Sequence, residues 1–301
     1  MFSIKRLFSF FALFFLVMAC SKVPLTNRRQ LDLIGDNQLM ASSFDAYDQV
    51  LSQNRLSNDQ EKVRMIKNVG NNIKNAVESY LDQRNLSEVT EGFVWEFNLI
   101  VDDVVNAWCM PGGKVAFYTG ILPICKDEAG IAVVMGHEVA HAVASHGGER
   151  MSQALLQQLG GVALSVALQQ QPQQTQALAV AAYTGASSLG VLKFSRVHES
   201  EADRLGLTFM AMAGYNPENA PEFWQRMKSR GGGGAPPEFL STHPAYNTRI
   251  SDLNKWMPEA KRYYKKSNKV SNAQIGVVTE KNNANINARP KKVIQLKVND
   301  N

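Results

Sequence analysis

The segment His137-Glu138-Val139-Ala140-His141 constrains this chain more than any other. It lies among Ile131, Val133 and Val134, and Asp127 precedes it as an N-cap with Glu128 in the first turn. The pattern predicts a helix from there through His146 to a break at Gly147-Gly148. Residues four apart on a helix share a face, so both imidazoles can bind one metal, with Glu138 at its side. Zinc lowers the pKa of a water molecule to roughly 7, and a neighbouring carboxylate takes its proton as a carbonyl is attacked. In so apolar a helix, two histidines and a glutamate need partners, because unpaired buried polar groups cost several kcal/mol.

Catalytic zinc takes a third protein ligand and keeps one position open. The candidates are Glu199, Glu201, His198, His146 and Asp203. Glu199 and Asp203 are four apart and share a helix face, and Ala202 is small enough for close helix approach. Spacing therefore prefers that pair, one ligating and the other orienting a ligand histidine. His198 and Glu201 are expected to face solvent. His146, five residues past His141, is off the metal face and is expected to be structural or to support a ligand from behind.

The rest of the chain organises around this segment. Apolar residues from about 38 to 83 recur at helical spacing: Val63, Ile66, Val69, Ile73, Val77 and Leu81. Phe93, Trp95, Phe97, Leu99 and Val101 alternate as in a strand, and Val115–Tyr118 is a second strand after the turn signal Pro111-Gly112-Gly113. Together they predict a small antiparallel sheet beside the histidine helix. Residues 150–169 and 176–193 read as a helical hairpin around Pro172, either a buried pair or a lid or membrane-dipping element. Neither arm reaches the ~20 apolar residues that a span requires. Further helices fit 197–213, 217–229 and roughly 245–264, with a mobile break at Gly231–Gly234. The fold class is α+β and mostly helical, with the catalytic domain at 37–265.

Charge bears on the partners. The chain has 301 residues, 32 Lys+Arg and 27 Asp+Glu, for a net charge of +5. The excess sits at the ends: Lys5 and Arg6 in residues 1–19, and seven bases against two acids in residues 266–301. The body between is slightly acidic, which argues against a nucleic-acid binder. The basic tail at 266–301 is expected to contact anionic lipid headgroups or the protein's own acidic face. Lys5 and Arg6 lead into an apolar run from Leu7 to Ala19, the layout of a secretory signal peptide. The run closes on Val17-Met18-Ala19-Cys20, which resembles a bacterial lipobox, so Cys20 is expected to be lipidated and residues 20–36 to form a tether. Ser21 after the cysteine favours the outer membrane, facing the periplasm. Cys109 and Cys125 flank the sheet hairpin, either as a disulfide or as two buried thiols.

Three separated motifs carry a family resemblance. HEVAH at 137–141, HESEAD at 198–203 and STHPAYNTR at 241–249, with NAWCMPGGKVAFYTGIL at 106–122, resemble gluzincin zinc metallopeptidases of the HtpX, BepA and LoiP type. That group also includes the CaaX prenyl endopeptidase and the mitochondrial overlapping-activity protease. The resemblance covers about 90–255. It implies one zinc per chain held by His137, His141 and Glu199, Glu138 as general base and Asp203 as an assisting residue. It also implies His243 near the metal, stabilising an oxyanion or occupying the open position at rest, with Arg249 close by on the substrate side. The chain departs from HtpX in having no convincing spanning helix, from BepA in having no helical repeats, and from the family pattern at Cys109. It is most similar to stand-alone lipoprotein members.

The expected function is therefore zinc-dependent endopeptidase action on proteins of the bacterial envelope, in quality control, from a lipid anchor. The rival is an envelope chaperone or assembly factor with weak or gated proteolysis. Order along the chain also suggests that Val115 lies on a strand edge that holds extended substrate by strand addition.

Overall fold

The computed structural model describes residues 20–23, 26–230, 239–240, 243 and 248–265. The expected signal peptide, the Gly231–Gly234 break and the basic tail lie outside the described residues.

Residues expected as a tether form structure instead. Strand β1 (Cys20–Lys22) pairs antiparallel with β2 (Arg29–Leu31), Cys20 opposite Leu31. Val23, just past β1, is fully buried in the main core, and Gln30 is also buried. This hairpin has a side chain to bury, and burying it holds the segment on the body.

Helices α1 (Asp36–Gln53) and α2 (Gln60–Asp82) fill the region read as helical. The Asp59 side chain accepts from Lys62 N at 3.1 Å and starts α2. Ile66, Val69, Ile73, Val77 and Leu81 are all buried, as their spacing implies.

The sheet has three strands in the order β3 (Glu96–Ile100), β5 (Lys114–Tyr118), β4 (Ala107–Met110). β4 and β5 form the expected antiparallel hairpin, but β3 pairs parallel to β5, Phe97 opposite Val115. The chain leaves β3, crosses to the far edge and returns through the middle, so the sheet is mixed. This corrects the reading of Val115. β5 is central with both edges paired, and Val115 is fully buried, so no substrate strand can add there. The edge strands are β3, which Leu56 bridges at Ile100, and β4, whose outer edge is paired with no strand among the described residues.

Helix α3 (Glu128–Val143) carries the two histidines, and the Asp127 side chain accepts from Gly130 N at 2.9 Å. It ends at Val143, three residues before the expected end at His146. Ser145 takes a left-handed conformation at φ 53°, and α4 (His146–Ala167) starts at once, with Gly147 and Gly148 inside it. Helix α5 (Gln173–Met212) runs unbroken for 40 residues and joins the two helices expected at 176–193 and 197–213. Nothing between Val191 and Leu205 is Gly or Pro, so no break is imposed. Helix α6 (Asn219–Arg230) and a final helix, α7, at 249–265 complete the body.

The distal arms of α4 and α5 are not a buried pair. They hold each other through Tyr183 Oη donating to Gln157 O at 2.9 Å, but Leu159, Val162, Val166 and Leu178 face outward, more than half exposed. No helix among the described residues is long and apolar enough to cross a membrane.

The proximal part of α5 packs against α3. A Cβ on Gly206 would lie 2.8 Å from Gly136 C and from His137 N, so the two backbones touch. This crossing brings Glu199 and Asp203 beside His137 and His141. Ala202 is fully buried at the same contact.

Candidate metal centre

His137 and His141 project from one face of α3, as a four-residue spacing requires. Glu199 projects from α5 across the crossing, and His243 arrives from the segment after Phe239. One donor atom from each of these four buried residues lies within 4.8 Å of all the others. His137 Nε2 is 3.1 Å from His141 Nε2 and 3.2 Å from His243 Nδ1. Glu199 Oε1 is 3.0 Å from His243 Nδ1, while its two oxygens stand 3.4 Å from His137 and His141. Three imidazoles and a carboxylate, buried and convergent, form a donor set that suits a transition-metal ion such as zinc.

The electrostatics agree with that use. Burial opposes charge on Glu199, yet hydrogen bonds from His137, His141 and His243 outweigh it and hold its carboxyl far below the ordinary carboxylate range. Burial and Arg249 act against charge on His137, but Asp203 and Glu199 raise it to about 9. Burial pushes His141 well down. A metal bound here would compete with a proton for His137.

Glu138 is 3 % exposed, and burial pushes its carboxyl up. Its Oε1 has no hydrogen-bond partner among the described residues, and His243 Nε2 is 3.4 Å away. A carboxylate whose pKa burial raises, with an oxygen left without a hydrogen bond, is suited to take a proton.

Asp203 stands one helical turn past Glu199. Its Oδ1 is 3.0 Å from His137 Nδ1 and accepts from Arg249 Nη2 at 2.6 Å. Arg249, which the sequence suggested on the substrate side, is buried. Its guanidinium is engaged by Asp203, by Glu199 at 3.4 Å and by the Trp224 ring, 3.3 Å from the centroid. It braces the centre from behind. Trp224 stacks on Phe239 with centroids 5.7 Å apart, and Phe239 lies 4.8 Å from the His243 ring. Neither aromatic carries a signal in the sequence, since an aromatic on an amphipathic helix reads first as core.

The structure corrects a further expectation. His198 and Glu201 do not face solvent: both are buried, at 0 % and 7 % exposure. The β1–β2 hairpin and α4 cover their side of α5. His198 Nε2 donates to Glu149 Oε2 at 2.8 Å, and Glu201 Oε2 is 3.0 Å from His146 Nε2. Of the two alternatives for Cys109 and Cys125, the structure has the free thiols, and neither joins the donor set.

Residues 68–257 match peptidase family M48, and the chain belongs to that family. The mitochondrial metalloendopeptidase OMA1 of Saccharomyces cerevisiae is 35 % identical over 204 residues, covering 63 % of this chain and 54 % of that protein. The protein of the same name in Schizosaccharomyces pombe is 31 % identical over 255 residues, covering 79 % and 66 %. The β-barrel assembly-enhancing protease of Escherichia coli strain K12 is 28 % identical over 163 residues, covering 52 % and 33 %. The chain thus spans about half the length of the budding-yeast relative and a third of the bacterial one.

Proposed function

We propose that the chain is a zinc-dependent metalloendopeptidase of the bacterial envelope, acting on misfolded or unassembled envelope proteins. The observation that carries this reading is the buried convergence of His137, His141, Glu199 and His243 beside the unsatisfied carboxylate of Glu138. In it, His137, His141 and Glu199 hold the metal. Zinc, when bound, supplies a Lewis acid for a peptide carbonyl and lowers the pKa of water to about 7. Glu138 takes the proton from the attacking water and returns it to the leaving amine. Asp203 and Arg249 keep the His137 ring in the tautomer that leaves Nε2 free to ligate. His243 Nδ1 sits among the ligands, which favours a resting role at the open position over an oxyanion role; substrate would displace it. The free edge of β4, which packs beside α3, takes over the strand-addition role first considered for Val115.

The envelope setting is supported by a bacterial relative named for enhancing β-barrel assembly. It is supported also by the signal-like N-terminus and by Cys20 as a lipid attachment point facing the periplasm. No observation favours the rival, an envelope chaperone or assembly factor with weak or gated proteolysis, and the intact Glu138 beside the donor set supports catalysis.

Glu138→Gln should keep zinc while cleavage of a protein substrate falls to background. Retained zinc with wild-type-like cleavage would overturn the reading.

A further inference from the structure

A second run of buried polar groups leaves the centre on the side away from Asp203. His141 Nδ1 is 2.8 Å from His146 Nδ1, and His146 Nε2 is 3.0 Å from Glu201 Oε2. Glu201 accepts from Arg28 Nε at 2.7 Å and from the Thr26 hydroxyl. Arg28 also pairs with Glu149 at 2.8 Å, and Glu149 accepts from His198, whose ring stacks on His146 with centroids 4.3 Å apart. Arg28 and Thr26 belong to the β1–β2 hairpin. His146 reaches His141 because the left-handed Ser145 turns the chain back between α3 and α4.

The ligand role of His141 orders the protons along this run. Its Nε2 faces Glu199 and His137, so that nitrogen offers its lone pair to the metal. The ring proton is then on Nδ1 and is donated to His146 Nδ1. His146 therefore carries its own proton on Nε2 and donates it to Glu201. An ionised carboxylate is the strongest acceptor for that proton, and Arg28 and Thr26 keep Glu201 ionised. Every donor meets an acceptor from the metal side to the guanidinium. A ligating histidine is ordinarily braced directly by a carboxylate or a carbonyl. Here one imidazole is interposed.

We propose that His146, Glu201 and Arg28 act as positioning residues for His141, so that the N-terminal hairpin completes the metal centre although it contributes no ligand. This rests on His141 being a ligand, as argued under the proposed function. Glu149 provides the internal control. It is as buried as Glu201 and shares the same arginine, but it does not lie on the path to His141.

The test uses the full-length chain loaded with zinc. Zinc affinity is measured by competition with a chromogenic chelator, and the cobalt-substituted protein gives absorption bands that report ligand geometry. Glu201→Gln is expected to weaken zinc about tenfold and to shift the cobalt bands, while Glu149→Gln stays within about twofold of wild type with unshifted bands. Unfolding of the metal-free variants is measured in parallel to separate ligand positioning from loss of fold. If Glu201→Gln does not fold, Arg28→Lys carries the test. It keeps the charge, loses the fork that spans both carboxylates, and should weaken zinc in the same direction. Equal effects of the two glutamine variants, or no effect of Glu201→Gln and Arg28→Lys, would overturn the proposal. A wild-type chain that binds no zinc would overturn the metallopeptidase reading instead.

Discussion

His137 and His141 stand one turn apart on the same helix, yet they are braced over different distances. The His137 arm takes one step: Nδ1 to Asp203, with Arg249 behind it. The His141 arm takes two, through His146 to Glu201, with Arg28 behind. Each arm ends in a carboxylate held by an arginine. The difference follows from helix geometry. Asp203 shares the face of α5 that carries Glu199, so it meets a ligand directly. Glu201, two residues from Glu199, points to the other side of α5 and needs an imidazole to span the gap. The arms also differ in origin. Asp203 and Arg249 lie within the residues matched to the family, whereas Arg28 lies before them. A metal centre can thus draw one of its braces from outside the domain that supplies its ligands.

The largest effect is expected on the short arm. Asp203→Asn removes the anion that fixes the His137 tautomer and leaves the buried Arg249 with one carboxylate fewer. Zinc affinity should fall about 100-fold, the upper end for loss of a group that braces a ligand, against about tenfold for Glu201→Gln on the long arm. The same chelator competition measures both. If the two losses match, the interposed imidazole transmits the carboxylate without attenuation. If the order reverses, the long arm is the main brace.

The pH dependence of folding reports on Glu149, which shares Arg28 with the long arm but lies off its path to the metal. Burial disfavours the Glu149 charge, but hydrogen bonds from His198 and Arg28 outweigh it and lower the carboxyl to about 2. A depressed carboxylate contributes stability that is fully present above its ordinary value near 4.5 and is lost as pH falls through about 2. Metal-free wild type should therefore exceed Glu149→Gln by about 2 kcal/mol at pH 7, and the gap should close on acidification below about 4.5. Urea unfolding across pH checks this. A gap that does not change with pH would mean that the carboxylate is not ionised in the fold.

How legible these arms were in sequence differs in the same way as their geometry. The short arm follows from local periodicity: four-residue spacing puts His137 with His141, and Glu199 with Asp203, on common faces. The N-cap at Asp127 and the apolar stripe of α2 are local too, and both were readable. The long arm depends on what covers the back of α5, which no helical period encodes. His198 and Glu201 therefore read as solvent-facing, and Arg28 sat in a polar stretch that resembled a tether. The parallel pairing of β3 with β5 was hidden for the same reason, because strand order is a property of the whole sheet. The helix break fell at Ser145 rather than at the glycines because His146 has a partner behind it, and glycines are tolerated inside a packed helix.

Gly206 offers the smallest and most selective perturbation. An alanine there would place its Cβ 2.8 Å from His137 N and Gly136 C, and 2.9 Å from His137 Cα. Backbone cannot swing aside as a side chain can, so α3 and α5 must separate slightly. Overpacking of this kind costs about 1 kcal/mol when the helices can adjust. The separation acts at His137 and at the face carrying Glu199 and Asp203, while His146 and the β1–β2 hairpin lie on the other side of α5. Gly206→Ala should therefore lower the unfolding midpoint modestly and weaken zinc by a few-fold. It should also make Asp203→Asn less damaging in the double variant, because the short arm is already stretched. The effect of Glu201→Gln should be the same in either background. Coupling of Gly206→Ala to Glu201→Gln as strong as to Asp203→Asn would show that the two arms report on one shared distortion rather than on two separate braces.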